Sequence, residues 1–151
     1  MSDELLNWLT NDDGYSAKGI NILFDALSFY FEVIICAPLT NQSGQSHAIT
    51  LRTPLKTYMC DRGYKVDGTP VDCVYLGLAH LVQSPDLIIS GINHGYNLGD
   101  DFHYSGTVAA AREAAFYHKK SIAISMGQFE EQMAKDHAKF LSKFIFTAYR
   151  L

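Results

Sequence analysis

Leu9-Thr10-Asn11-Asp12-Asp13-Gly14 decides how the rest of the chain is read. A short apolar run stops there at two adjacent carboxylates followed by a glycine. On a continuing strand the two acidic side chains would point to opposite faces. The glycine and the polar neighbours instead end the strand, and in a turn both carboxylates can face one point. Strand ends at the carboxyl edge of an α/β sheet are where such folds place their ligands. Two neighbouring carboxylates repel unless a cation or a shared proton relieves them. The stretch therefore has two readings: a hard divalent-metal site, or a polar turn built from the residue types that turns favour for backbone reasons.

Working outward, Ile20, Leu23, Phe24, Leu27 and Phe31 recur at the spacing of one helical face, and Val33-Ile34-Ile35-Cys36-Ala37 follows as an apolar, β-branched run closed by Pro38. Strand, helix and buried strand in that order are the mark of a parallel sheet with helical crossovers. Residues 38–48 are polar and aperiodic and read as a loop at the same edge as Asp12. Ile49-Thr50-Leu51 and Leu55 to Met59 read as extended segments, and Asp61-Arg62-Gly63 turns the chain toward Tyr64-Lys65-Val66 as a hairpin. Thr69-Pro70-Val71-Asp72 is a helix start with Thr as N-cap, and that helix is expected to run to about Val82. Leu87-Ile88-Ile89-Ser90 is a second buried strand, ending in Gly91-Ile92-Asn93 and a polar loop from His94 to Tyr104. Ser105-Gly106-Thr107 then leads into an Ala-rich helix, Val108 to about His118, a strand at Ser121–Met126 and an amphipathic helix from Phe129 to Tyr149. At the end of the chain Phe129, Met133, Phe140, Leu141, Phe144, Ile145, Ala148 and Leu151 fall in one stripe, leaving Phe146 and Tyr149 outside it with no obvious place in the core. The expected class is α/β: a Rossmann-like, three-layer αβα arrangement with a mostly parallel sheet and a small antiparallel hairpin addition.

Composition narrows the partners. The 151 residues suit one domain, 1–151, and 48% hydrophobic content sustains a continuous core. A net charge of −4, with scattered basic residues, argues against a nucleic-acid polymer as ligand. Cys36, Cys60 and Cys73 are odd in number and form no CxxC pair, so they read as reduced, mostly buried thiols. The first residues, Met1-Ser2-Asp3-Glu4, are acidic where a secretory signal is basic, and no apolar run approaches a membrane span. The expectation is a cytoplasmic protein with no membrane partner.

Three polar loops, centred on Asp12-Asp13, Ser43 and Asn93–Asn97, follow apolar strands and so converge at one edge of a parallel sheet. They offer carboxylate, hydroxyl and amide oxygens without thiolate, a set suited to Mg²⁺ or Mn²⁺. Ser105-Gly106-Thr107 adds the N–H groups and positive end of a helix, which either cap that helix or receive an anion. His47, His94 and His103 lie near these loops without a second His or Cys at ligand spacing, and Asp100-Asp101 reads as a solvated turn. A nicotinamide-dependent oxidoreductase is left as a remote alternative, because Asn11-Asp12-Asp13-Gly14 stands where G-x-G-x-x-G would follow the first strand.

From about Leu5 to about Met126 the chain resembles the SurE family of metal-dependent nucleotidases. The resemblance rests on Thr10-Asn11-Asp12-Asp13-Gly14, Ala37-Pro38 through Asn41-Gln42-Ser43-Gly44, Ile49-Thr50-Leu51-Arg52, Asp67 to Val74, Ser90-Gly91-Ile92-Asn93-His94-Gly95 and Asn97 to Thr107. It implies one divalent cation, Mg²⁺ or Mn²⁺, held by Asp12, Asp13, Ser43 and Asn93. It also implies a phosphate pocket lined by Asn97, Ser105, Gly106 and Thr107, with Asp12 and Asp13 as the catalytic pair and Asp12 acting as base or as nucleophile. The implied activity is hydrolysis of nucleoside 5′- and 3′-monophosphates, with short polyphosphate as a further substrate, in a homo-oligomer (dimer or tetramer). Two departures stand out: Ala17-Lys18-Gly19 replaces the family's usual Ala-Pro-Gly, and family members continue well past the point where this chain stops. The expectation is thus a domain lacking the family's C-terminal region, for which a non-catalytic nucleotide- or phosphate-binding role is the alternative.

Overall fold

The computed structural model describes residues 5–81 and 84–148. Its centre is a six-stranded sheet in the order β3-β4-β2-β1-β5-β6. The strands are β1 (Leu6–Thr10), β2 (Glu32–Pro38), β3 (Thr57–Cys60), β4 (Gly63–Val66), β5 (Leu87–His94) and β6 (Lys120–Met126). β2 and β5 flank β1 in parallel, β4 adds parallel to β2 and β6 parallel to β5, while β3 pairs antiparallel with β4 as the expected hairpin. The helices are α1 (Lys18–Leu27), α2 (Pro70–Leu76), the short α3 (Asp101–Tyr104), α4 (Gly106–Phe116) and α5 (Glu131–Ala148).

Strand alternation sorts the side chains into two layers. Leu9, Ile35 and Ile89 face α1 and α5 in one core, and Trp8, Cys36 and Ile88 face α2 and α4 in the other. Every residue of β1 is buried, since it is covered on both faces and paired on both edges. The three-layer α/β expectation holds, as do the Thr69 capping box and Pro at the first position of α2. All three cysteines are free, with Cys36 and Cys73 buried and the Cys36 thiol donating to the Cys73 carbonyl at 3.5 Å. Burial pushes the Cys73 thiol well above its ordinary range. No helix among the described residues is long and apolar enough to cross a membrane.

Five local expectations are corrected. Ile49-Thr50-Leu51 joins no strand; Thr50 turns its N–H and its hydroxyl to the Asp72 carboxylate, both at 2.7 Å, so its backbone serves α2 rather than a ladder. The helix begun at Thr69 passes at Gly77 into a π-helical turn, Gly77–Leu81, and Val82 lies outside the described residues. A side chain at Gly77 would meet the Trp8 ring at 2.3 Å, so the bare Cα of this glycine makes room for the largest residue of that core. The second buried strand runs beyond Ser90 to His94, through a register shift between Ser90 and Asn93. On α5 the buried positions are Ala134, Ala138, Ser142 and Ile145, whereas Phe140 and Phe144 are 73% and 60% exposed. Small residues let α5 approach α1 closely, and that contact, not side-chain size, selects the inward face. Phe146 lies against Tyr30 (4.8 Å between centroids) and Phe31 (6.0 Å), so it does have a place in this core. Tyr149 and Leu151 lie outside the described residues.

Candidate functional site

The turn after β1 is closed by its own side chain. Asn11 donates from Nδ2 to the Gly14 carbonyl (2.9 Å) and accepts the Gly14 N–H at Oδ1 (3.1 Å). Gly14 has φ +101°, a left-handed conformation that favours glycine, and a Cβ there would sit 3.2 Å from the Thr40 backbone. The chain therefore reverses tightly between Asp12 and the loop after β2, and the Gln42 N–H reaches the Asp12 carbonyl at 2.7 Å.

The two carboxylates part company at this turn. Asp12 is 4% exposed and accepts the Thr107 hydroxyl at Oδ1, 2.5 Å away. Asp13 is half-buried and accepts the backbone N–H of His94 at Oδ2, 3.1 Å. Each aspartate is thus tied to a different neighbour, α4 for one and the end of β5 for the other. Burial raises the Asp12 pKa, the Thr107 hydrogen bond opposes that rise, and the Asp13 charge adds to it. A cation beside both would relieve the charge term.

β1 and β5 are adjacent, with Thr10 opposite Ser90, and helices leave them for opposite sides of the sheet. This is the switch point of the strand order, where doubly wound folds open a crevice. Asn93, 8% exposed, lies there on β5 and donates its amide to the Gly95 carbonyl at 3.0 Å, so what it offers the crevice is its oxygen. Thr10 Oγ1 and Ser90 Oγ are buried without a hydrogen-bond partner at the same strand ends. Ser43 is exposed on the loop after β2, its N–H held by Asn41 Oδ1 at 2.9 Å. No group of three or more His, Cys, Asp and Glu able to hold a metal occurs among the described residues. A cation here would rest on Asp12, Asp13 and neutral oxygens. That set fits Mg²⁺ or Mn²⁺, and it does not fit zinc.

The start of α4 packs directly on Asp12. A Cβ at Gly106 would come within 2.9 Å of Asp12 Cβ and 3.3 Å of Asp12 Oδ2, so only glycine lets the helix end approach this closely. Ser105 caps the helix, its Oγ accepting the Val108 N–H at 3.1 Å. Thr107 is fully buried. Asn97 stands apart from this group: its amide donates to Ser125 Oγ on β6 at 2.6 Å, across β5 from Asp12.

Several supports had no local signal in the sequence. His47 pairs with Glu113 at 2.7 Å, pinning the Ser43 loop to the middle of α4. Ser46 holds the same loop to the His103 carbonyl at 2.8 Å. His94 Nε2 accepts the Gly19 N–H at 3.2 Å, fixing the start of α1. These partners lie 57 to 75 residues apart along the chain. The one hint was Glu113 itself, a lone acid within an alanine-rich helix.

Strand order, paired carboxylates beyond the central strand and a helix N-terminus packed on one of them define a doubly wound α/β protein with a polar crevice at its switch point. The family model described as Survival protein SurE matches residues 8–150. The chain belongs to the SurE family. It is 49% identical over 126 residues to the 5′-nucleotidase SurE of Nitrosococcus oceani, an alignment covering 82% of this chain and 50% of the relative. Against the 5′-nucleotidase SurE of Vibrio cholerae serotype O1 (El Tor Inaba N16961) it is 51% identical over 121 residues, covering 78% and 48%. The crystal structure of the SurE protein from Aquifex aeolicus superposes with a TM-score of 0.86 at 43% identity, over 93% of this chain and 58% of that one. The chain spans about half the length of the curated relatives it matches.

Proposed function

We propose that the chain carries the metal and phosphate site of a divalent-metal-dependent phosphomonoesterase that hydrolyses nucleoside 5′- and 3′-monophosphates to nucleoside and phosphate, and short polyphosphate as a further substrate. The observation that carries this reading is the buried Asp12 carboxylate, set beside Asp13 at the switch point and against the start of α4. Relatives named 5′-nucleotidase share about half of its residues over the matched region. Asp12, Asp13, Ser43 and Asn93 would hold Mg²⁺ or Mn²⁺, which when bound supplies a Lewis acid for the phosphoryl group and a more acidic water. Ser105-Gly106-Thr107 sets the positive end of α4 toward the transferring group, and Asn97, which hydrogen-bonds Ser125 on β6, would have to reach the phosphate from across β5. Asp12 is suited to take a proton from water because burial raises its pKa; direct attack on phosphorus is the other role open to it, and trapping a phospho-aspartate separates the two.

The work is assigned to the cytoplasm, in keeping with three free thiols, and to a homo-oligomer, dimer or tetramer, in keeping with the exposed Phe140 and Phe144. The second reading is a nucleotide- or phosphate-binding domain without turnover, built on the same buried Asp12 and the start of α4. Phosphate release from a panel of nucleoside monophosphates, with Mn²⁺ or Mg²⁺ and with EDTA, tests the first reading. Release that needs the metal supports it. Binding of the same nucleotides without release establishes the second, and neither binding nor release refutes both.

A further inference from the structure

We infer that Thr107 is a positioning residue for Asp12: its hydroxyl locks one carboxylate oxygen so that the other is the one presented to a cation. The inference rests on the metal-site reading and assigns Thr107 to the aspartate rather than to the phosphate. Three observations carry it. Thr107 has 0% exposure, so a ligand in the crevice does not reach its hydroxyl. That hydroxyl donates to Asp12 Oδ1 at 2.5 Å, a short, charge-assisted bond between residues 95 apart in sequence. The other oxygen, Oδ2, lies over the bare Cα of Gly106, where a side chain would stand 3.3 Å away.

The residue type suits the task. A β-branched side chain near a helix start has few χ1 choices, so the hydroxyl direction is set by the backbone of α4. Serine retains the donor with more freedom, and valine keeps the shape without the donor. With Oδ1 engaged, rotation of the carboxylate about its Cβ–Cγ bond is restrained, and Oδ2, held beside Gly106, is the oxygen left for a cation. Ser105, the other hydroxyl of the motif, is committed to capping Val108. The Ser-Gly-Thr stretch is therefore organised around the Asp12 carboxylate, and a phosphate meets only what backbone α4 leaves uncovered.

The test is a calorimetric titration of Mn²⁺, with no phosphate present, into the parent protein, Thr107→Ser and Thr107→Val. Inorganic phosphate is titrated separately into the metal-free samples, and circular dichroism confirms the fold of each. Thr107→Ala provides a second variant without the donor should the valine form not fold. Partners that orient a metal ligand are typically worth 10–100-fold in metal affinity. The expected result is Mn²⁺ affinity about 10-fold or more weaker in Thr107→Val, close to the parent in Thr107→Ser, with phosphate affinity alike in all. Equal Mn²⁺ affinity in Thr107→Val and the parent overturns the inference. So does a serine variant as weak as the valine one, which would assign the effect to the methyl group. A loss of phosphate affinity with Mn²⁺ affinity intact makes the hydroxyl a phosphate contact, and overturns it too. A parent that binds no Mn²⁺ refutes the metal-site reading itself, and that result comes from the parent alone.

Discussion

Replacing Asp12 with asparagine should stabilise the metal-free protein at neutral pH while abolishing its response to metal. Burial raises the Asp12 pKa above its ordinary value of 3.8, with the Asp13 charge adding to the rise and the Thr107 bond opposing it. The folded protein thus holds this proton more tightly than the unfolded chain does. The stability that comes from the protonated form is fully present below pH 3.8 and is lost as pH rises through the folded-state pKa. Each unit of pKa elevation costs about 1.4 kcal/mol at neutral pH. Asparagine removes that cost but brings a buried amide N–H₂ that needs an acceptor, a penalty of about 1–3 kcal/mol if it finds none. The expected net result is a higher melting temperature for the variant than for the parent in EDTA at pH 7. In Mn²⁺ at a hundred times its dissociation constant the parent gains about 2.7 kcal/mol by mass action and the variant gains little, so the order of stability inverts. Urea melts in EDTA and in Mn²⁺, at pH 7 and below pH 3.8, check all of this together. An Asp12→Asn protein less stable than the parent at pH 7 in EDTA refutes the reasoning, as does an advantage that persists unchanged in acid.

Ser105→Ala removes the cap on Val108 and should lower stability by about 0.5–2 kcal/mol, read from urea melts, while leaving Mn²⁺ affinity in place. Gly77→Ala pushes a methyl into the buried Trp8 ring and should cost about 1–3 kcal/mol, although alanine is the better helix former. Trp8→Phe in the same chain withdraws the atoms that clash, so the double variant should lose less than the sum of the singles. Phe146→Ser should destabilise by about 2 kcal/mol through its lost contacts with Tyr30 and Phe31, whereas Phe144→Ser, at a 60% exposed position, should leave the melting curve within about 0.5 kcal/mol of the parent.

What the sequence disclosed depended on how local the determining interaction is. The Asp12-Asp13 turn was readable because Asn11 and Gly14 close it between themselves, three residues apart. The start of α2 was readable for the same reason, since Thr69 and Asp72 satisfy each other within one turn. Where a segment's partner lies far along the chain, local pattern misled. Ile49-Thr50-Leu51 has strand composition, yet its hydrogen bonds go to Asp72, 22 residues on. The face of α5 was misassigned because hydropathy ranks Phe140 and Phe144 above Ala134 and Ala138, while closeness of approach to α1 rewards the reverse.

The site divides along the same line. Carboxylate, amide and hydroxyl residues at strand ends are visible as types, and parallel-sheet topology brings Asp12 and Asn93 to one edge whatever their separation. Which atom faces which is a different matter. Ser105-Gly106-Thr107 at a helix start admits a cap and an anion site on sequence grounds, and Ser105 is indeed the cap. The Thr107 hydroxyl goes instead to a carboxylate 95 residues earlier, because a glycine lets the helix end come within contact of Asp12. That glycine and that threonine form one device: the first removes the side chain that would hold α4 away, and the second uses the resulting proximity. A substitution at Gly106 should therefore disturb Asp12 as surely as one at Thr107, although neither residue is itself a ligand.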